Sequence, residues 1–133
     1  MLSTTTILCL AMNIYHEARS EGLRAQLAVA QVTMNRVAHA SYPASVCDVV
    51  WQSGQFSWTE DGKSDTPRDE RAWAVARWVA TMTLTDDADE LRVVGKDVTH
   101  YHADYVQPYW SKIYTATDKI GRHIFYIRAG DYS

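Results

Sequence analysis

Glu17 is the residue of this sequence best placed to hold a proton near neutral pH. Ile7, Ala11, Ile14 and Ala18 recur at helical spacing, and at about 100° per residue Glu17 falls within roughly 20° of Leu10, on the edge of that apolar stripe. It also occupies the last turn of the predicted helix, next to the negative end of the dipole. Partial burial and the dipole both disfavour a carboxylate, so the pKa is expected to rise. Such an acid can protonate a leaving oxygen and, once ionised, take a proton back. A helix-end glutamate paired with Arg19 or Arg24 is the structural alternative. Glu21 lies one turn further on, where it could orient a substrate, add a second carboxylate or cap the next helix through Gly22. The orienting or structural role is preferred, since a carboxylate so near would itself keep the Glu17 pKa high.

Three further sets of residues could carry chemistry. His100 and His102 alternate on a predicted strand, so both rings can face one side, and with His16 they could imitate a metal site. No His-Glu-x-x-His helix or cysteine pair supports that site, and the expectation is no metal and no cofactor. The histidines and Tyr101 are read instead as hydrogen-bonding partners of a sugar or of the acid. Ser57 and Thr99 lack the strand-turn-helix elbow that a serine nucleophile uses. Aromatic residues are abundant, with five Trp and eight Tyr, and sugar rings lie well on aromatic planes. Trp73 and Trp78, at helical spacing, are read as core. Phe56, Trp58, Tyr101, Tyr105, Tyr109 and Trp110 stand beside polar residues and are read as the lining of a glycan groove.

The elements that must position these residues are mostly helical. Thr4 to Thr6 are candidate caps for the first helix, which Leu8, Leu10 and Tyr15 widen, and Gly22 is its candidate stop. The second helix carries a buried stripe of Leu23, Leu27, Ala30, Met34 and Val37, leaving Arg24, Gln31 and Arg36 on other faces. Tyr42-Pro43 breaks it, and Ser45 caps a short helix through Cys47 to Trp51. From Gln52 to Pro67 runs a long polar loop with turns at Ser53-Gly54 and Glu60-Asp61-Gly62; loops of that length are often functional. Thr66 as cap, Pro67 at the first position and Asp69 and Glu70 in the first turn open the next helix, with Ala72, Val75, Ala76, Val79 and Met82 on its buried face. An acidic run from Asp86 to Glu90 reads as a solvated turn. After it Val98 to Tyr101 looks extended, and Ile113 to Thr117 and Arg122 to Ile127 flank a four-residue hairpin loop, Asp118 to Gly121. The fold class is therefore α+β, mainly α, one domain over residues 1–133 with a small antiparallel sheet near the C-terminus.

Composition excludes several classes. A chain of 133 residues that is 47% hydrophobic, with three Pro and six Gly, is neither disordered nor fibrous. A formal charge of -3, from 13 basic and 16 acidic residues, gives no basis for nucleic-acid binding. The apolar window from Ile7 to Tyr15 contains Asn13, is too short to span a bilayer, and lacks the flanks of a secretory signal. The chain is accordingly expected to be soluble and made in the cytoplasm without an export signal. Cys9 and Cys47 are too few for a disulfide framework and lack metal-site spacing; two buried thiols are expected, with one bridge as the alternative.

Around Glu17 the sequence reads Ile14-Tyr15-His16-Glu17-Ala18-Arg19-Ser20-Glu21-Gly22, then Gln26-Leu27-Ala28-Val29-Ala30 and Asn35-Arg36-Val37. Further on come Tyr42-Pro43, Val46-Cys47, Val49-Val50, Gln55-Phe56-Ser57 and Asp61-Gly62. Thr99-His100-Tyr101-His102-Ala103, Pro108-Tyr109-Trp110 and Ile120-Gly121-Arg122-His123-Ile124-Phe125-Tyr126 follow. This ordered set resembles the cell-wall hydrolase family of the spore-cortex-lytic type over nearly the whole chain. The resemblance implies a lysozyme-like domain and a lytic transglycosylase acting on peptidoglycan, with Glu17 as its general acid/base. The bond between N-acetylmuramic acid and N-acetylglucosamine would break with closure of a 1,6-anhydro ring, which needs one essential carboxylate where hydrolysis usually needs two. Glu21, Phe56, Ser57, Trp58 and Thr99 are then expected to contact substrate, as are His100, Tyr101, His102, Tyr109 and Trp110. Two positions depart from the common family pattern: His16 where many members have Gly, and Trp58 where many have Cys. The first sets a titratable group beside the acid; the second removes a thiol that could have met Cys47. Three alternatives remain at this point: a hydrolytic muramidase with a second carboxylate, a metal-dependent amidase or peptidase of the peptide stems, and a catalytically silent glycan-binding module. A monomer released to the wall as a phage endolysin is the expected setting, with a domain of an exported bacterial enzyme as the competing one.

Overall fold

In the computed structural model, residues 3–52 and 54–131 are described; Ser53, half of one expected turn, lies outside them. Helix α1 (Thr4–Ala18) starts where Ser3 Oγ accepts a hydrogen bond from the Thr6 backbone N–H, so Ser3 and not a threonine is the cap. It ends at Arg19, one turn before Gly22, which instead precedes α2 (Leu23–Ala38) as its cap residue. The short helix α3 (Val46–Val50) is capped by Ser45 Oγ, as its sequence implies. Helix α4 (Glu70–Thr83) begins later than Thr66-Pro67 indicates, because the Asp69 carboxylate takes the Ala72 N–H. The capping signal at Thr66 is outcompeted by Tyr15, whose hydroxyl accepts from the Arg68 and Asp69 N–H groups and keeps 66–69 extended along α1.

Helix α2 is the central element and packs against α1, α3, α4 and the sheet. Its expected one-sided stripe is therefore incomplete. Leu23 is exposed, while Gln31, Asn35 and Arg36 are buried. These three polar side chains bond to the backbone of the segment entering the sheet. Gln31 accepts from the Val93 and Val94 N–H groups and donates to Leu91 C=O. Asn35 donates to Gly95 and Val98 carbonyls, and Arg36 Nε to Thr99 C=O at 2.8 Å. Irregular backbone buried against a helix must find partners of this kind.

The sheet is three-stranded and antiparallel in the order β1 (Val98–Ala103), β3 (His123–Ile127), β2 (Thr115–Ile120). The β2–β3 hairpin turns on two residues, Gly121 and Arg122, and Asp118 to Ile120 belong to β2 instead of a four-residue loop. Gly121 has φ +58°, which favours glycine, and a Cβ there would stand 3.0 Å from the Glu21 carboxylate and push on it. The Asp86–Leu91 segment is a 3₁₀ helix, with Asp89 and Glu90 exposed as a solvated turn would be.

Two apolar clusters meet at β1. One joins α1, α3 and α4 with Phe56 and Trp58 from the long loop. The other packs the small face of α2 (Ala25, Ala28, Val29, Val32) on Val98 and Phe125 of the sheet. Tyr101 packs against both. Trp73 joins the first cluster's edge, but Trp78, read as core, is 48% exposed; its helical spacing places it past the covered face of α4. Cys9 and Cys47 are not thiols but a disulfide that ties α1 to α3 across 38 residues. No helix among the described residues is long and apolar enough to cross a membrane.

Candidate active site

Glu17 projects from the last turn of α1 toward β1, where the Tyr101 hydroxyl donates to its Oε1 at 2.8 Å. Burial raises its pKa; the Tyr101 hydrogen bond and the positive Arg36 guanidinium oppose that rise and lose to it. Burial, then the Glu17 charge and hydrogen bond, push the Tyr101 phenol well above its usual value, so it stays a donor. Arg36 is buried and bonded to Thr99 C=O and Gln55 Oε1, with its guanidinium over the rings of Phe56 and Tyr42 at 5.1 and 5.2 Å. The acid thus sits in a low-dielectric niche beside one fixed positive charge.

Three concavities open around this group, of about 450, 580 and 720 Å3, and Glu17 and Ser57 line all three. Together they form a groove with the acid at its middle. Trp58 is buried beneath one end, donating Nε1 to Asn13 Oδ1 at 2.9 Å, and Asn13 donates in turn to Thr33. The His16 ring stacks on Trp58, centroids 4.5 Å apart, and its Nε2 meets the Asp65 carbonyl at 2.9 Å. His16 and Trp58 are therefore partners. Their stack joins the end of α1 to the long loop beside the acid.

A family model described as Cell Wall Hydrolase matches residues 20–126. The chain belongs to the cell wall hydrolase family. The matched stretch opens at Ser20, just past Glu17. Spore cortex-lytic enzymes of Bacillus cereus and Bacillus subtilis are 28% and 27% identical over 92% of this chain. The chain spans less than half the length of these curated relatives, 44% and 38%. The solved catalytic domain of the germination-specific lytic transglycosylase SleB from Bacillus anthracis superposes with a TM-score of 0.71 at 29% identity, covering 94% of this chain and 96% of that one. The catalytic domain of the Bacillus cereus SleB protein gives 0.69 at 27%, covering 95% and 92%. The mainly helical, lysozyme-like fold with its small C-terminal sheet is the one these structures share.

In this member of the cell wall hydrolase family the predicted groove residues divide. Ser57, Trp58, Tyr101, His102 and Trp110 line the groove together with Glu17. Phe56 touches it but is mainly core, serving as a plate for Arg36. Glu21 borders the groove, yet its carboxylate is engaged by the Arg122 N–H at 2.7 Å and by His123 Nδ1 at 3.1 Å, which locks the β2–β3 turn to the end of α1. Three residues expected to contact substrate do not line these concavities. Thr99 is fully buried, its carbonyl on Arg36 and its hydroxyl beside His100 Nδ1. His100 packs edge-on against Trp110 and Tyr114, and burial with the Arg36 and Arg128 charges lowers its pKa to about 4. Tyr109 is 81% exposed and lines none of the three concavities, although its neighbours Pro108 and Trp110 line the largest.

The histidine cluster does not form. His100 and His102 do share a side of β1, but it is the side of Trp110. His102 Nδ1 faces its neighbour's carbonyl, and its Nε2 accepts from the Tyr126 hydroxyl at 2.8 Å, while His16 is held across the groove. Among the described residues no three His, Cys, Asp or Glu are grouped to hold a metal ion. Asn13 and Arg36 are the site residues that sequence reasoning missed. Asn13 had a signal: an amide inside an apolar helical run, one turn before Glu17, must be buried with a partner.

Proposed function

We propose that this chain cleaves peptidoglycan glycan strands between N-acetylmuramic acid and N-acetylglucosamine as a lytic transglycosylase, with Glu17 as its single acid/base. The observation that carries this reading is the half-buried Glu17 carboxyl held by Tyr101 where three adjoining concavities meet. The neutral acid donates its proton to the glycosidic oxygen as the C1–O bond breaks. The sugar's own C6 hydroxyl then bonds to C1, and its proton returns to Glu17. No water is consumed. Tyr101 and Arg36 stabilise the transient carboxylate, and burial favours return of the proton. Three other carboxylates at the groove are engaged with backbone N–H groups, Glu21 with Arg122, Glu60 with Gly54 and Asp61 with Lys63, and Asp65 stands at the outer end of one lobe. That arrangement favours the one-carboxylate route over hydrolysis. The Cys9–Cys47 bridge supports action outside a reducing cytoplasm, and a groove complete within one chain suits a monomer.

Mass spectrometry of digested peptidoglycan tests the reading. New ends are expected as anhydro-muramic residues, lighter by one water than reducing ends. Reducing ends would indicate hydrolysis, and intact strands with free stem amino groups would indicate an amidase.

Tyr101→Phe removes the hydrogen bond that favours the ionised acid. The Glu17 pKa should rise further, moving the alkaline limb of kcat/KM to higher pH. A hydrogen bond to a charged group contributes about 1.5–3 kcal/mol, so kcat should fall roughly 10- to 100-fold. An unmoved pH profile would separate Tyr101 from the acid.

A further inference from the structure

The three concavities around Glu17 differ in charge. The one between the end of α1 and the 57–68 segment is rimmed by Arg19, Lys63 and Arg68 against Asp61 and Asp65, an excess of one positive charge around a neutral Glu17. The largest has no Lys or Arg. The third has Arg122 alone, whose Nε is already 3.4 Å from the Asp104 carboxylate. Among the described residues, none of Arg19, Lys63 and Arg68 has an ion-pair partner.

Tyr15 braces two of these cations. Its ring lies under the Arg19 guanidinium, 4.9 Å from the centroid, and its hydroxyl accepts the Arg68 N–H at 3.1 Å, fixing where that side chain leaves the backbone. His16, bonded to the Asp65 carbonyl, ties the loop that carries Lys63 to α1. Three cations without ion-pair partners outnumber Asp61 and Asp65 around this pocket and fit an anionic ligand, and in a stem-bearing strand the glycan itself is uncharged because the muramic lactyl carboxyl is tied up as an amide. The anionic parts of peptidoglycan nearest a muramic ring are the carboxylates of its peptide stem.

We propose that this lobe is a peptide-stem site: the stem of the muramic residue held beside Glu17 enters it and sets its carboxylates against Arg19, Lys63 and Arg68. The site rests on the glycan-cleaving reading, and it makes stem-bearing strands the preferred substrate.

The test uses soluble glycan fragments of one length whose muramic lactyl groups carry either the peptide stem or a neutral simple amide in its place. For the wild-type chain kcat/KM should be about tenfold higher on the stem-bearing set, mainly through KM, and the preference should shrink as salt is raised. In the Lys63→Gln/Arg68→Gln double variant, at an unchanged unfolding midpoint, the preference should fall toward unity; Arg19→Gln should lower it independently. Equal turnover of both sets by the wild type, or a full preference kept in the variants, overturns the stem site and leaves the glycan reading standing. A folded wild type that turns over neither set overturns both.

Discussion

Glu17→Gln should abolish turnover while leaving the fold and glycan binding in place. The amide keeps the shape and the Tyr101 contact but has no proton to give, and a positioned general acid/base contributes about 10²–10⁴-fold. The same substitution should alter stability in a direction set by linkage. Burial raises the Glu17 pKa in the folded chain, so the folded state holds the proton where the unfolded chain has released it. The stability this contributes is complete below the ordinary carboxylate value and is lost as pH rises through the higher folded value. An amide is neutral throughout. The variant should therefore unfold at a higher temperature than wild type at alkaline pH, with the difference vanishing in acid. Full turnover by a folded Glu17→Gln protein would remove Glu17 from the chemistry.

Reduction of the Cys9–Cys47 bridge, or Cys9→Ala/Cys47→Ala, should lower stability by about 4 kcal/mol, the chain-entropy value for a loop near 40 residues. Against a typical total of about 5–15 kcal/mol, that loss is large. The bridge fixes α3 to α1, and α3 contributes Val46 and Val50 to the cluster that supports Phe56 and Trp58. Urea unfolding with and without reductant measures the effect. Cys9 lies eight residues before Glu17, about 12 Å along the helix, so activity at low temperature should survive reduction and the loss should show on warming. Coincident urea midpoints for oxidised and reduced protein would contradict the staple.

The helices were legible because each carries an apolar period that its partners also demand. Glu17 was legible for the same reason: one residue on the border of a stripe, at the end of the helix, is half-buried in any packing of that stripe. Strand alternation is weaker. It puts His100 and His102 on one side of β1 and Tyr101 on the other, but which side meets the acid depends on how α2 holds the strand, and Gln31, Asn35 and Arg36 do that through backbone contacts 60 to 63 residues away in sequence. Tyr101 accordingly reaches Glu17, and the histidines go to Trp110. The late start of α4 has a similar origin, since the Tyr15 hydroxyl overrides a sound local cap. The disulfide had no spacing signal at all; two cysteines 38 residues apart meet only because α1 and α3 pack together.

If one half-buried carboxyl supplies and recovers the proton, titration of that group itself must show it. Carboxyl 13C shifts of labelled glutamate, assigned to Glu17 by comparison with Glu17→Gln, should give a midpoint above the ordinary carboxylate value. The alkaline limb of kcat/KM should fall at the same pH, and both should move upward together in Tyr101→Phe. A Glu17 signal that titrates at the ordinary value, or an alkaline limb that stays put while that signal moves, would contradict the account.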